Sequence, residues 1–238
     1  MAMLDLAVDE NVALVTLNSG ENRFNPDFLN AVIGTLDEIE KKTDAQTLVV
    51  RSAHEKIFSN GIDLEWLVPV IQKGDNAAAK EFFWLLNMLF KKTLTSPLIT
   101  VAAINGHAFA GGAIWSCAFD FRFMRSDRGY FCFPEVDLGI PFLPGMLELL
   151  KKAIPFYKLE ELHHLGVRLT AAECEKHHII TKACHVDTLM DEVMIFAKGI
   201  KKKRAVVKEM KSRLYRHIVH ALDVEDVPYI ESEQYHIG

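Results

Sequence analysis

The chain has 238 residues, half of them hydrophobic, which is enough for one ordinary globular domain. Its 27 basic and 32 acidic residues give a formal net charge of -5, so charge provides no argument for nucleic-acid binding or for an anionic membrane surface. The four cysteines lack CxxC spacing and indicate neither a disulfide framework nor a zinc site.

Sequence features at both ends bear on the compartment. The first residues, MAMLDLAVDENVALVTL, carry acids where a signal or transit peptide would carry bases, and no apolar run reaches the roughly 18 residues of a membrane span. The last four residues, YHIG, match neither a peroxisomal nor a retention signal. We therefore expect a cytoplasmic protein with reduced, mostly buried thiols, no metal site and no membrane or nucleic-acid partner.

The N-terminal third alternates strands and a helix. Hydrophobic alternation over residues 4–8 and 12–17 predicts an opening hairpin. Asn25 is a good N-cap before Pro26, and apolar residues then recur on one helical face to about Lys42. The order of elements therefore begins with a hairpin and then a helix.

Further strands and helices alternate after this first helix. A β-branched run at residues 47–51 predicts a buried parallel strand, two helices follow over 64–72 and 77–93, and residues 98–104 form the next strand. Such an order predicts an α/β chain with right-handed crossovers. From Gly145 onward the pattern is mostly helical, with a short strand near 181–186.

No linker or low-complexity stretch divides the chain. We expect a core over residues 1–190 and a helical C-terminal region over residues 191–238, which packs on the same domain or on a neighbouring subunit. The basic run Lys201 to Arg204 is typical of a solvated helix face, with contact to an anionic ligand as the alternative.

The most informative segment runs from Ala102 to Glu135. An apolar strand leads into a small-residue turn that opens a helix at Gly111–Gly112. The first N–H groups of a helix have no partner inside it and lie at its positive end, so this turn can offer amides to a developing oxyanion. Because Glu135 follows among apolar and aromatic neighbours, the pair indicates proton abstraction next to a carbonyl.

Each of these residues has a structural alternative. Paired glycines such as Gly111–Gly112 also permit close packing or a turn and nothing more, and a glutamate such as Glu135 after a proline is often a solvated loop charge. We expect Asp63 to be a cap or loop anchor, Asp120 to close a helix end, and His107 to have a packing or hydrogen-bonding role.

Three sequence blocks carry a family resemblance: FSNGID at residues 58–63, AAINGHA at 102–108 followed by Gly111–Gly112, and PEVDLGI at 134–140. In this order and spacing the chain resembles the crotonase, or enoyl-CoA hydratase/isomerase, superfamily over nearly its whole length. The resemblance implies a repeated ββα spiral with a helical C-terminal region, a homotrimer or dimer of trimers, and an acyl-CoA thioester as ligand with no further cofactor.

The resemblance also implies roles by motif position. The backbone N–H groups of Ile62 and Gly111 would form the oxyanion hole, Asn60 and Gly61 would belong to the binding site for CoA, with the Asn60 carbonyl near the adenine, and Glu135 would be the acid and base. An aromatic stretch at residues 82–84 is most simply core, and part of it is expected to line the acyl tunnel.

The informative departure from the superfamily is Ile114. Hydratases of the superfamily carry a glutamate at this position, paired with the one that corresponds to Glu135, and two carboxylates serve the addition of water well. A double-bond shift needs only one base, and residues 124–130 with Glu135 are similar to plant-type Δ3,Δ2-enoyl-CoA isomerases. We therefore predict an enoyl-CoA isomerase, with a hydratase or a non-catalytic acyl-CoA-binding protein as alternatives.

The aromatic and apolar neighbours of Glu135 predict how it titrates. Phe131, Phe133, Leu138 and Phe142 are expected to desolvate the carboxylate and so to raise its pKa toward the range in which one group serves as both acid and base.

Overall fold

The structure is a computed structural model and describes residues 2–232, so the C-terminal YHIG lies outside the described residues. Its strands are β1 Leu4–Asp9, β2 Val12–Leu17, β3 Arg23–Phe24, β4 Thr47–Ser52, β5 Ile57–Ser59, β6 Gly61–Ile62, β7 Ile99–Ile104, β8 His107–Phe109, β9 Phe121–Arg125, β10 Phe131–Cys132 and β11 Lys182–Cys184. Its helices are α1 Pro26–Lys42, α2 Leu64–Gln72, α3 Asn76–Leu94, α4 Gly111–Ala118, α5 Glu135–Leu138, α6 Pro144–Ala153, α7 Phe156–Leu165, α8 Ala171–Lys176, α9 Val186–Gly199, α10 Arg204–Leu214, α11 Arg216–His220 and α12 Val227–Glu231, with a π-helical turn, Ala221–Glu225, before α12.

A six-stranded sheet in the order β1-β2-β4-β7-β9-β11 forms the centre of the fold. The predicted hairpin of β1 and β2 is antiparallel, and the remaining neighbours pair in parallel. Short strands form two smaller parallel sheets, β10-β8-β5 and β3-β6. The strands β2, β4, β7 and β9 are each followed by one or two short strands and then by a helix, which confirms the predicted ββα repeat.

The helix α1 begins and ends where the sequence predicts. The Asn25 side chain accepts a hydrogen bond from the Phe28 N–H at 3.0 Å, Pro26 stands in the first turn, and the helix ends at Lys42. The apolar face, with Phe28 and Leu29 fully buried, packs on the main core. A local signal at the N-cap therefore sets the start of this element.

The two faces of the central sheet are covered differently. The larger core joins one face to α1, α3, α4 and α6. On the other face Leu189, Val193 and Ala197 of α9 pack against Val49 and Val101 of the sheet. The expected boundary between the core and the C-terminal region, after residue 190, lies within α9. The helix that covers this face therefore contains residues of both expected regions.

One residue of the basic run 201–204, at the start of α10, has a structural role. Arg204 donates to the backbone carbonyls of Glu40 and Thr43 at 2.6 Å each, at the C-terminal end of α1, while Lys201, Lys202 and Lys203 are exposed. All four cysteines are buried and unpaired, as expected. Within residues 2–232, every helix is too short or too polar to cross a membrane.

Candidate active site

Close backbone contact between two turns forms the centre of the candidate site. A Cβ added to Gly61 would lie 2.3 Å from the Gly111 nitrogen, and one added to Gly112 would lie 2.4 Å from the Ser59 carbonyl oxygen. Gly61 also has a φ of +73°, a conformation that favours glycine. Glycine at these positions therefore lets the start of α4 lie against the chain that leads into Ile62.

The first turn of α4 has no capping side chain. Its N-cap is Ala110, which has a φ of 49° and a ψ of -130°, a strained conformation for a residue with a Cβ. A Cβ on Gly111 would lie 3.3 Å from the Ile62 nitrogen, so the backbones of the two predicted oxyanion-hole residues are adjacent. An uncapped helix start is suited to hydrogen-bond an anion.

Glu135 is the first residue of the four-residue helix α5 and is 7 % exposed. Within residues 2–232 its Oε2 has no hydrogen-bond partner. Burial raises the pKa of Glu135 to about 7, and a hydrogen bond from its own backbone N–H opposes this rise only in part. No neighbouring charge contributes to this pKa shift. Desolvation is therefore what brings the pKa of the carboxyl to about 7.

A cavity of about 250 Å³ brings the predicted side chains together. Ile62, Ile114 and Glu135 line it from β6, α4 and α5. The other described lining residues are Leu64, Leu67, Phe83, Ile140, Pro141, Phe142, Leu143, Met146, Tyr229, Ile230 and Ser232. Glu135 supplies the only carboxyl group among the lining residues that the structure describes, and Ile114 shares the cavity with it.

The aromatic residues around Glu135 are arranged partly as predicted. Phe142 lines the cavity, and Phe131 and Phe133 are fully buried in edge-to-face contact with ring centroids 5.3 Å apart. The prediction for Leu138 was wrong, because this side chain is 41 % exposed. A single helical turn, closed by Gly139 in the left-handed conformation, directs Leu138 to solvent rather than to the cavity.

The other candidate residues lie outside the described lining of the cavity. The Asn60 side chain donates to Glu21 at 3.0 Å. Asp63 accepts from Asn25 at 3.2 Å and makes no capping bond to α2, which is the role of a loop anchor. Asp120 accepts from the backbone N–H of Thr100 at 2.8 Å and forms an ion pair of 2.5 Å with Lys211, so its carboxylate is engaged in the fold.

His107 has the packing role that the sequence predicts. Its ring contacts Phe109 and Tyr130, with centroids 4.9 and 5.8 Å apart. Burial lowers its pKa, and the charges of Arg168 and Arg128 lower it further. Among residues 2–232, no group of three or more His, Cys, Asp or Glu side chains is placed to hold a metal ion.

The sequence analysis missed the C-terminal wall of the cavity. Tyr229 and Ile230 of α12, together with Ser232, line the cavity with Phe83 of α3. Phe83 of the 82–84 aromatic stretch therefore lines the cavity, and the identity of this cavity with an acyl tunnel stays a prediction. No periodic signal marks α12, because five residues are too few to show a helical pattern.

The family model and the sequence relatives agree on the family. The model of the family described as enoyl-CoA hydratase/isomerase matches residues 7–233. Enoyl-CoA delta isomerase 3 of Arabidopsis thaliana is 32% identical over 179 residues, which are 72% of this chain and 73% of that protein. The peroxisomal enoyl-CoA delta isomerase 2 of the same plant is 34% identical over 145 residues, 59% of each chain.

The fold comparison extends over almost the whole chain. The crystal structure of an enoyl-CoA hydratase from Bacillus halodurans matches with a TM-score of 0.87 and 21% sequence identity, covering 98% of this chain and 96% of that one. At this identity the match concerns the fold. The family model, the sequence relatives and the ββα spiral together show that the chain belongs to the enoyl-CoA hydratase/isomerase family.

Proposed function

We propose that the protein is an enoyl-CoA isomerase that moves a double bond from C3 to C2 of an enoyl-CoA, with Glu135 as its single acid and base. One observation carries the proposal: Glu135, whose buried Oε2 has no hydrogen-bond partner within residues 2–232, lines an apolar cavity in which no other described lining residue carries a carboxyl. Ile114, where the hydratases of the superfamily carry glutamate, lines the same cavity.

The proposed chemistry is a proton transfer within the substrate. The Glu135 carboxylate takes a proton from C2, and the electron pair of that C–H bond spreads into a dienolate whose charge lies on the thioester oxygen. The N–H groups of Ile62 and Gly111 stabilise that oxygen. Glu135 then returns the proton to C4, which uses the electron pair of the old C3–C4 double bond and leaves the new one between C2 and C3. No atom or electron enters or leaves, so the proposal needs no cofactor.

The pKa of Glu135 supports this use of one group in both directions. A group that must first accept and then donate a proton works best when its pKa lies near the working pH, and burial raises the pKa of Glu135 to about 7. The apolar lining strengthens the hydrogen bonds to the oxyanion, and Ile114 offers no polar group that would hold and activate a water. Ile114 thus favours isomerisation over hydration.

The alternatives predict different surroundings for Glu135. A non-catalytic acyl-CoA-binding protein is expected to expose this carboxyl or to pair it with a cation, whereas it is 7 % exposed and its Oε2 lacks a partner within residues 2–232. A hydratase is expected to place a second acid near it. The buried, solitary carboxyl therefore favours the isomerase.

A substrate panel tests the proposal. Purified wild-type protein is assayed with 3-enoyl, 2-enoyl and 3-hydroxyacyl thioesters of CoA, beside Glu135→Gln and the control Glu160→Gln, which changes an exposed glutamate of α7. We expect the wild type and the control to isomerise the 3-enoyl thioester, and the Glu135 variant to bind but not convert it. Full activity of the Glu135 variant, or hydration as the main wild-type reaction, would overturn the proposal.

Further parts of the proposal come from the resemblance and the relatives. The Asn60 carbonyl and Gly61 would contact the CoA moiety, and the protein would assemble as a homotrimer or dimer of trimers. We retain the cytoplasm as the proposed compartment, while one relative is named as peroxisomal. Gel filtration with light scattering checks the oligomeric state, and localisation of the tagged full chain checks the compartment.

A further inference from the structure

One part of the cavity wall comes from two segments that are distant in sequence. Leu143 and Met146 belong to the start of α6, and Tyr229 and Ile230 belong to α12. Ile230 is 1 % exposed, so its side chain is part of the interior rather than of the surface. The position of α12 relative to α6 therefore decides the shape of this end of the cavity.

Asp226, the residue just before α12, joins these two segments. Its side chain is fully buried, and its Oδ1 accepts a hydrogen bond from the Gly145 N–H at 2.8 Å. Gly145 lies in the first turn of α6, whose own N-cap residue, Leu143, makes no side-chain cap. Asp226 thus caps α6 from the C-terminal region, where a carboxylate is favoured by the helix dipole.

The π-helical turn before Asp226 makes this placement possible. The Asp226 N–H donates to the Ala221 carbonyl, five residues back, at 3.0 Å. The Leu222 carbonyl is then available to the Asn87 side chain of α3, which donates to it at 3.0 Å and to Asp226 Oδ2 at 2.8 Å. One buried amide therefore ties both the π-helical turn and Asp226 to α3.

The junction is tight and its burial of charge is unfavourable. A Cβ on Gly145 would lie 2.5 Å from Leu222 Cδ2 and 2.7 Å from Asp226 Oδ2, so any larger residue there displaces these side chains. Burial raises the pKa of Asp226 to about 6, although the hydrogen bonds from Gly145 and Asn87 act in the opposite direction. Burial of this carboxyl is therefore unfavourable for folding. Its two hydrogen bonds fix the position of α12.

We propose that Asp226 is a positioning residue that holds the α12 wall against the first turn of α6 and thereby limits the length of the acyl chain that the cavity accepts. The inference rests on the proposed function in one respect, namely that the occupant of the cavity is the acyl chain of a CoA thioester.

Loss of the Asp226 contacts is expected to change selectivity rather than chemistry. Glu135 and the contact between Gly61 and Gly111 lie on other elements. Release of α12 is therefore expected to leave them in place while Ile230 moves outward. An ion pair of 3.1 Å between Lys80 and Glu231 also joins α3 and α12, but it is partly exposed, and such pairs contribute little. Each methylene accommodated or rejected by an apolar pocket changes specificity by about 10- to 200-fold.

Three variants test the inference. Asp226→Asn keeps an acceptor for Gly145 but sets an amide against the Asn87 amide, Ile230→Ala shortens the wall and keeps both hydrogen bonds, and Asp223→Asn is the matched control. Asp223 lies on the same π-helical turn, is partly exposed and pairs with Lys91 at 2.6 Å.

The readouts are binding of saturated acyl-CoA thioesters from butanoyl to hexadecanoyl, and kcat/KM for 3-enoyl-CoA thioesters of the same lengths. We expect the ratio of long-chain to short-chain values to rise at least about tenfold in Asp226→Asn and Ile230→Ala, with the control like the wild type. Amide hydrogen exchange over residues 227–232 is expected to rise in Asp226→Asn alone.

Several results would overturn the inference. An equal fall for every chain length in Asp226→Asn indicates a purely structural role, and an unchanged length profile in Ile230→Ala shows that α12 sets no limit. If Asp226→Asn does not fold, Asn87→Ala removes one of its two hydrogen bonds and must shift the same ratio.

Failure of the proposed function is distinguishable from failure of this inference. A wild type that binds acyl-CoA but isomerises no 3-enoyl thioester defeats the proposed function, while a shifted binding profile in Asp226→Asn still supports the inference. Active isomerase with unshifted profiles in all variants defeats the inference alone, and a wild type that binds no acyl-CoA defeats both.

Discussion

Two buried carboxyl groups differ in their hydrogen bonds: Glu135 lines the cavity, and Asp226 precedes α12, which forms part of the cavity wall. Glu135 and Asp226 are 7 % and 0 % exposed, and burial raises their pKa values to about 7 and about 6. Asp226 accepts hydrogen bonds from Gly145 and Asn87, whereas Glu135 Oε2 has no partner within residues 2–232. Burial alone therefore does not distinguish a candidate acid–base carboxyl from a structural one; an oxygen without a partner on a residue that lines a cavity does.

The largest expected effect separates the two groups by activity. Glu135→Gln is expected to lower kcat for 3-enoyl-CoA isomerisation by about 10²- to 10⁴-fold, the usual contribution of an acid–base group, with acyl-CoA binding retained. Asp226→Asn is expected to keep kcat on short-chain substrates within about tenfold of the wild type. Equal losses of kcat in both variants, measured at saturating substrate, would remove the distinction.

Two glycine substitutions compare the backbone contact between Gly61 and Gly111 with the junction at Asp226. Gly61→Ala forces a Cβ to 2.3 Å from the Gly111 nitrogen at a positive φ, so we expect a loss in the free energy of unfolding on the order of 3 kcal/mol and inactivity on all chain lengths. Gly145→Ala instead disturbs the Asp226 junction and is expected to alter length preference.

The matched control for these variants is Gly34→Ala. Gly34 lies within α1, where an added Cβ meets nothing within 4 Å, so this variant is expected to gain up to about 1 kcal/mol by urea unfolding. A stable, active Gly61→Ala variant would contradict the prediction that the close contact between Gly61 and Gly111 requires glycine.

At neutral pH the effects of the two substitutions on stability are expected to differ in sign, although burial raises the pKa of both carboxyls. The folded-state pKa of Glu135, about 7, exceeds its ordinary 4.5, so its stabilising effect is complete below about pH 4.5 and is lost as the pH rises through 7. Glu135→Gln is therefore expected to be more stable than the wild type by about 2 kcal/mol at pH 8 and similar to it at pH 4.

Asp226→Asn is expected to be less stable than the wild type by about 1–3 kcal/mol at neutral pH, because it removes one of the two acceptors of the Asn87 amide and leaves the Leu222 carbonyl as the other. Urea unfolding of both variants across this pH range measures the contrast. A destabilised Glu135→Gln variant at pH 8 would mean that the carboxylate has a stabilising partner.

The smallest expected effect follows from giving Glu135 a partner. Ile114→Glu places a second carboxyl in the cavity, so we expect slow but measurable hydration of 2-enoyl-CoA and a reduced rate of isomerisation. Ile114→Gln, which is polar but cannot ionise, is the control and is expected to show no hydration. Equal hydration by both variants would show that polarity, not a second acid, decides the reaction.

Local signals were sufficient to predict much of the fold. The Asn25–Pro26 start of α1, the β-branched strand β4 and the short strand β11 all follow from residues close in sequence. The three motif blocks also predicted that Ile62, Ile114 and Glu135 belong to one site, and all three line the cavity.

Long-range contacts could not be predicted in this way. Asp226 caps a helix whose first turn lies 81 residues earlier, and a π-helical turn has no hydrophobic period that would indicate the direction of its side chains. The exposure of Leu138 was missed for the same reason, because α5 is a single turn. The wall formed by Tyr229 and Ile230 therefore emerges only from the packed structure.

The most direct test of a single proton-carrying group is label transfer. A 3-enoyl-CoA with deuterium at C2 is converted by the wild type in ordinary water, and the product is analysed for deuterium at C4. If Glu135 alone carries the proton within a cavity that excludes water, part of the label must be found at C4. Complete replacement by solvent hydrogen at C4, even in the first turnover, would contradict the account.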